Sequence, residues 1–468
     1  MTLSPRTSRW RSTADLPAPL AALAPWAVAA GLVAYTLYAT VDWDLPWSGG
    51  PSFGPVWIVA TTLAIAGWSA TGRRPRALAA VAIGTVTAML LTDVAYLASG
   101  RELRDLDIYL RAGDQFAAGA PVYLDHVLME RPDEPPGYPF LYPPVTLPLF
   151  AGLGALPDAV ARTGWVAGSV GAAVAALRLF GLPWRWVAVL LAWPPVFQGI
   201  QVGNVAVLVA LLFAAAPRWP AGLVLAPIFK IYSGLAAAWL VREGRWRALA
   251  AGIAIVAGAC LATLPLTGPG RWAEWWRGLD LFRASQPFLP ASLYGFGLLY
   301  FVPGWAAIAA AGAVFAAAVH TAGRSGLARL GLATAVASPS LYSHGLIMGL
   351  PALLELRAIA LWGALAITAV SPGLGWWLAI GLTVVAWFVP TLRRDPAAAG
   401  EGAEWHPLPT GIGPWGRLVP GSSQAVRRGP LSSVPAPSSD VGSRARDPSR
   451  SPRNSSWTSV DREKPARP

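Results

Sequence analysis

Apolar runs, most of them about twenty residues or more, recur along most of the chain, at roughly 18–40, 55–72, 77–98, 143–180, 184–216, 219–241, 248–266, 294–318, 328–356, 358–371 and 374–392. Crossing a hydrocarbon core of about 30 Å takes about 20 apolar residues in a helix. Inside hydrocarbon, a backbone survives only if it satisfies its own N–H and C=O groups. The expected fold is therefore all-α: a polytopic membrane protein with about 11–13 transmembrane or re-entrant helices. Charge content agrees, at 13% of residues against about 25% in soluble domains.

The net charge of +12 is placed in a way that argues against nucleic acid as a partner. Arginines gather at the ends of apolar runs: Arg6, Arg9 and Arg11, then Arg73, Arg74 and Arg76, then Arg242, Arg245 and Arg247, then Arg324 and Arg329, and finally Arg393 and Arg394. This is the positive-inside pattern of a plasma-membrane protein. It puts residues 1–16 in the cytoplasm, with no signal-peptide cleavage pattern before the first run. The lone Cys260 leaves no disulfide framework and no thiolate metal site. With an inner N-terminus, outer loops fall at about 100–141 and 267–293 within a membrane domain spanning 17–394. From 395 to 468, Pro, Ser, Gly and Arg replace the aliphatics, as expected of a disordered, basic cytoplasmic tail.

Two stretches resist simple counting. Arg329 and Arg357 are 28 residues apart, too short for a hairpin of two full spans, so a broken re-entrant pair with SPSLYSHG (338–345) at its apex is expected. The stretch from Arg218 to Arg242 has the same length problem, with PIFKIYSG (227–234) at its middle. Irregular backbone at membrane depth needs protein or a water-filled cavity to satisfy it, so both apices point to a polar chamber opening outward.

The first outer loop begins RDLDIYLRAGDQF (104–116). Asp105 and Tyr109 are four apart, as are Leu106 and Leu110, which predicts an amphipathic helix lying at the interface. Asp105 and Asp107 then have two readings: a base near the lipid surface, or plain balance for Arg101, Arg104 and Arg111. Lys230 stands out where arginine outnumbers lysine 34 to 2. An ionisable group within a span is costly and ordinarily faces a functional cavity; the competing reading is snorkelling to an interface. His344 on an apolar segment reads either as a buried structural residue or as a hydrogen-bond donor to a ligand.

These elements resemble a known family. Asp105-Leu106-Asp107-Ile108-Tyr109, Gly119-Ala-Pro-Val-Tyr123 and Pro139-Phe-Leu-Tyr142-Pro143-Pro144 look like the first outer loop of the polyprenyl-phosphate-mannose-dependent mannosyltransferases, glycosyltransferase family 87 of the GT-C superfamily. Gln201-Val-Gly-Asn204, Lys230 to Ser233, and Ser338-Pro339-Ser-Leu-Tyr342-Ser343-His344-Gly345 follow in the family's order. His-Gly stands where the family has His-His, and the family usually has fewer spans before its Asp loop. The likeness covers roughly 80–390.

The resemblance implies a GT-C-like, inverting transfer of a hexose, mannose by preference, from a polyprenyl phosphate to an acceptor hydroxyl on the extracytoplasmic face, giving an α linkage. It implies Asp105 as general base, with Asp107 as the alternative carboxylate. The departing phosphate gathers negative charge, for which Lys230, His344 and, more weakly, Arg283 are candidates. Tyr109, Tyr142, Gln201, Asn204, Ser292 and Tyr342 are candidates for sugar or acceptor hydroxyls, although Gln201, Asn204 and Tyr342 equally suit interhelical hydrogen bonds. Trp272, Trp275 and Trp276 suit either sugar stacking or headgroup anchoring. No metal and no cofactor are expected; the partners are the lipid-linked donor, a glycolipid or glycan acceptor, and the bilayer. The alternative class is a lipid or glycan transporter or flippase, which would show internal pseudo-repeats; none is found.

Overall fold

Alanine-, leucine- and valine-rich segments punctuated by Pro and Gly make short helices with sharp ends, and that alternation sets the architecture. The computed structural model describes residues 53–69, 84, 86, 103–123, 139–285 and 295–394. Arg6, Arg9, Arg11, Arg73, Arg74, Arg76, residues 124–138, Ser292 and residues 395–468 lie outside the described residues. The described chain is mostly helical and contains no strand; Leu356 and Arg393 form an isolated bridge.

In chain order, α1 is Phe53–Ser69, α2 Arg104–Ala117, α3 Leu147–Gly154, α4 Asp158–Leu179, α5 Trp184–Leu191, α6 Pro194–Gln201 and α7 Ala206–Ala215. After α8 (Gly222–Leu225) come two 3₁₀ stretches, Ala226–Ile228 and Ile231–Ala237, then α9 (Ala238–Arg242) and the long α10 (Trp246–Ser285). The remainder comprises α11 (Leu298–Phe301), α12 (Gly304–Val319), α13 (Gly323–Val336), a 3₁₀ stretch at Ser343–Gly349, α14 (Leu350–Leu353), α15 (Ala358–Val370) and α16 (Leu374–Phe388). Among the described residues, two helical stretches are long and apolar enough to cross a membrane, Asp158–Leu179 and Trp246–Phe282.

The structure shows how three of the long segments are divided. The run at 143–180 is α3 followed by α4, parted by Pro157. The run at 184–216 is three short helices: Pro194 starts the second, and Gly203, at φ +69°, separates the second from the third. The expected outer loop at 267–293 is helical as far as Ser285. Gly268 (φ 66°, ψ 159°) interrupts α10 between Pro265 and Pro269, and a new helical segment starts directly after it. Proline is at home in a first helical turn, where its missing N–H costs nothing.

Residues 323–353 double back on themselves. Helix α13 enters, with a length of about 21 Å at 1.5 Å per residue. The chain turns through 338–342 and comes back as the 3₁₀ stretch and α14. The limbs touch along their length. A Cβ on Gly331 would meet the Met348 carbonyl oxygen, one on Gly349 would meet Leu332, and Glu355 hydrogen-bonds Ser325 near Arg329. Residues 226–237 are likewise irregular, with Lys230 extended (φ −144°, ψ 104°) between two 3₁₀ stretches.

Candidate active site

Helix α2 is amphipathic as its spacing predicts. Asp105, Leu106, Ile108, Tyr109, Ala112 and Gly113 are buried, while Asp107, Arg111 and Asp114 are exposed. Its tightest neighbour is α3, where a Cβ on Gly113 would lie 2.5 Å from the Phe150 carbonyl carbon. Asp105 shares the inner face because it stands one turn before Tyr109. Both Asp105 and Asp107 lie in the first turn, where the helix dipole favours negative charge.

The partner of Asp105 comes from the Gln201-to-Asn204 motif, and the local sequence explains its shape. Helix α6 closes with Gly203 in the left-handed region, the Gly203 N–H bonding the Ile200 carbonyl and the Asn204 N–H the Gly199 carbonyl. That pair of bonds is the Schellman arrangement, and glycine is its natural residue at the turn. Asn204 then accepts the Ala206 N–H, at the first residue of α7, on its Oδ1 at 2.7 Å. This fixes the amide so that its Nδ2 donates to Asp105 Oδ2 at 2.5 Å. The Asp105 N–H bonds the Val202 carbonyl at 2.8 Å, and Trp165 holds the Gly203 carbonyl at 2.8 Å. The other carboxylate oxygen, Oδ1, accepts from Arg104 Nε at 2.9 Å.

The same helix, α6, carries the second half of the cluster. Gln198 Oε1 accepts from the Ser343 hydroxyl, and Gly199 leaves room for His344, whose Cβ would lie 3.3 Å from a Cβ placed there. His344 is 2% exposed and stacks on Tyr342 with ring centroids 5.5 Å apart. Its Nδ1 is buried without a hydrogen-bond partner among the described residues. Lys230 and Arg104 both lie within electrostatic reach of His344. Lys230 Nζ stands 5.9 Å from the Tyr232 ring centroid, and Tyr232 lies within reach of Tyr142.

Tyr142 joins the two halves. Its hydroxyl is 2.8 Å from that of Tyr109, and Asp105 and Asn204 are close to it. Burial first, then the negative charge of Asp105, raises the Tyr142 phenol above its ordinary pKa, so it stays protonated and able to donate. The PFLYPP segment is held from the far side by the second half of α10. Trp275 Nε1 bonds the Leu141 carbonyl at 3.1 Å, and Arg271 bonds the Ala120 carbonyl at 2.7 Å beside Tyr123. Trp276 is 62% exposed.

The structure therefore brings together Asp105, Asn204, Tyr142, Lys230, Tyr342 and His344, with Gln201 buried in the same turn. It separates Asp107, whose carboxylate is half exposed and pairs with Arg162 at 2.7 Å. That side of α2 faces a different groove of about 460 Å³, which Asp114, Asp158 and Arg162 also line. Tyr109 is 1% exposed, enclosed by Phe140, Tyr142, Phe150 and Trp165, and its hydroxyl accepts the Val205 N–H. Its surroundings suit holding Tyr142 in place rather than touching a sugar. Arg283 falls in the last turn of α10.

Arg104 and Tyr232 join the cluster without having been singled out in the sequence. Arg104 looked like one more headgroup charge. The signal for Tyr232 was its place two residues after Lys230 in an apex already marked as irregular.

Residues 140–343 match the family model described as glycosyltransferase family 87. No curated protein and no solved structure matches the chain. The matched segment begins beside Tyr142, runs through the turn that holds Asp105 and through Lys230, and stops one residue before His344. It thus supplies most of the shell around Asp105 while α2 itself precedes it, and over residues 140–343 the chain is similar to glycosyltransferase family 87.

Proposed function

We propose that this chain is a membrane-embedded inverting glycosyltransferase that moves a hexose, mannose by preference, from a polyprenyl phosphate to an acceptor hydroxyl of a lipid-linked or cell-wall glycan. The reaction takes place on the extracytoplasmic face of the plasma membrane and makes an α linkage. The observation that carries this reading is a buried carboxylate, Asp105, bonded by Asn204 at the end of α6, the helix that also packs against a buried histidine, His344, whose Nδ1 has no partner among the described residues and which feels the charges of Lys230 and Arg104.

Asp105 takes the proton of the acceptor hydroxyl as the new bond forms at the anomeric carbon. Inversion needs this one base, unlike retaining hydrolysis with its paired carboxyls. Asn204 is a positioning residue that fixes the carboxylate, and Tyr142 offers a protonated hydroxyl beside it. Lys230 and His344 hold the phosphate as charge develops on it. Preorganised donors of this kind act most strongly where water is excluded. Gln201 and Tyr342 line the sugar site. The mechanism calls on no metal or cofactor.

A positioned general base is worth about 10²–10⁴ in rate. Membranes carrying D105N, given radiolabelled polyprenyl-phosphate-mannose and a panel of glycolipid acceptors, are expected to lose transfer by that factor. D107N, altered on the far side of α2, is expected to keep at least half of it. Transfer by D105N at the wild-type rate, with matched membrane insertion, would remove the proposed base.

A further inference from the structure

Three turns far apart in sequence are fastened into one surface, at the end of α13 away from the apex that carries Tyr342 and His344. The first joins α9 to α10, the second joins α12 to α13, and in the third residues 355–357 meet 392–394. Glu243 Oε1 accepts the Gly323 N–H at 2.8 Å, and Trp239 Nε1 donates to the Gly323 carbonyl at 2.9 Å, so the first turn is tied to the second. Glu355 hydrogen-bonds Ser325 and ties the second to the third. Within the third, the Arg394 N–H donates to the Glu355 carbonyl and the Arg357 N–H to the Leu392 carbonyl, both at 2.9 Å. Arg357 Nε donates to the Arg393 carbonyl at 3.1 Å.

Residues 242–247, 321–329, 355–357 and 393–394 hold eight arginines against two glutamates, and both glutamates serve as ties. Arg242, Arg247, Arg324 and Arg357 are exposed, Arg393 and Arg394 are partly buried, and among the described residues none of the six forms an ion pair. Arg329 lies beneath, 9% exposed, its Nη1 donating to Thr321 Oγ1 at 2.8 Å and its guanidinium carbon 5.1 Å from the Trp387 ring centroid. Salt screens a buried charge much less than an exposed one, so Arg329 adds a steady positive field from behind. Like charges gathered in this way repel one another. The segment that follows, 395–468, brings no relief, because it is net basic as well.

We infer that this surface binds the phosphodiester headgroups of anionic phospholipids in the cytoplasmic leaflet. This rests on the function proposed above for its placement of the chain in a bilayer. The lipid-linked donor is not the occupant, since α13, roughly 21 Å long at 1.5 Å per residue, separates the surface from the His344 apex. Guanidinium groups take phosphate oxygens through paired, parallel N–H groups. A zwitterionic headgroup fits worse, because its ammonium group enters the same positive field. Near an anionic leaflet, each arginine is worth about fivefold in affinity.

The test titrates the full chain, purified in a neutral detergent, with dioctanoyl phosphatidylglycerol, dioctanoyl phosphatidylcholine or inorganic phosphate. Phosphatidylglycerol is expected to bind at least about tenfold more tightly than phosphatidylcholine. R324Q weakens its binding about fivefold, whereas R111Q, which removes an exposed arginine from α2 beside the active site, leaves it within about twofold. Equal binding of the two lipids overturns the inference, and that comparison needs no variant to fold. Equal losses in R324Q and R111Q also overturn it, because overall charge then explains the binding. Displacement of phosphatidylglycerol by an equal concentration of inorganic phosphate overturns the lipid as occupant and assigns a free anion instead. A chain that alkaline carbonate strips from membranes removes the bilayer placement and this inference with it. A chain that stays in the membrane and transfers sugar without headgroup preference loses this inference alone.

Discussion

Replacing Asn204 separates contact with the sugar from support of the proposed base. The amide is 5% exposed, accepts the Ala206 N–H on Oδ1 and donates to Asp105 from Nδ2. In N204D the shape is retained and Ala206 keeps its acceptor, but the second oxygen now confronts the Asp105 carboxylate. Two carboxylates about 4 Å apart repel by about 4 kcal/mol at an effective dielectric constant of about 20. At neutral pH the pair relieves this by sharing a proton, and that proton occupies the base. In N204A the carboxylate loses a hydrogen bond worth about 1.5–3 kcal/mol, or roughly 10- to 150-fold in kcat where all of it is expressed in the transition state. The expected order is therefore wild type, then N204A, then N204D, with N204D at least 10²-fold down and regaining activity as the pH rises and the shared proton leaves. Initial rates of radiolabelled mannose transfer across pH 6–9, at saturating donor, measure this. An N204D enzyme with wild-type kcat and only a raised KM for donor or acceptor would mean that Asn204 touches the sugar, and the base-positioning account would fail.

Glycine substitutions test how the halves of the site are held together. G203A places a Cβ 2.9 Å from the Leu106 Cβ at a left-handed φ of +69°. It is expected to lose about 1–3 kcal/mol and to lower Tm. G113A, whose Cβ would meet the Phe150 and Ala151 backbone within 2.6 Å, is expected to lose more, because a main chain cannot step aside as a side chain can. G164A in α4 meets nothing within 4 Å and is expected to change stability little or to raise it by up to about 1 kcal/mol. Burial holds the Tyr109, Tyr123 and Tyr142 phenols above the ordinary value of 10.0. Their contribution to stability is thus complete below about pH 10 and drains away as pH rises toward their folded-state values. Tyrosinate absorbance from these three should appear only together with loss of the near-ultraviolet dichroism of the folded protein, and its appearance in a still-folded chain would contradict their enclosure.

Much of this arrangement was legible in the sequence, because it rests on short-range rules. The four-residue spacing of Asp105 and Tyr109 put the carboxylate on the inner face of α2. The glycine in Gln201-Val-Gly-Asn204 marked a turn, and the short interval from Arg329 to Arg357 required the chain to double back. The second half of α10 was misread because Gly268-Pro269 ends one helical stretch and the charged residues beyond it look like a loop. Yet Arg271, Glu274, Arg277, Asp280 and Arg283 recur every third residue, a helical spacing that Arg271 and Glu274 use for an ion pair at 2.9 Å. The choice between Asp105 and Asp107 could not be made from spacing, since it depends on Arg162 lying beside one and Asn204 beside the other. Neither contact has a local signature.

The bond from Asn204 to Asp105 also fixes a moment in the life of the chain. Its ends are 99 residues apart in sequence, and a ribosome adding about 5–20 residues per second leaves the carboxylate without this partner for roughly 5–20 s. His344 arrives later still. The nascent chain thus carries Asp105 with its neighbour Arg104 long before Asn204 is made, and the cluster is complete only when the last of its polar groups is delivered.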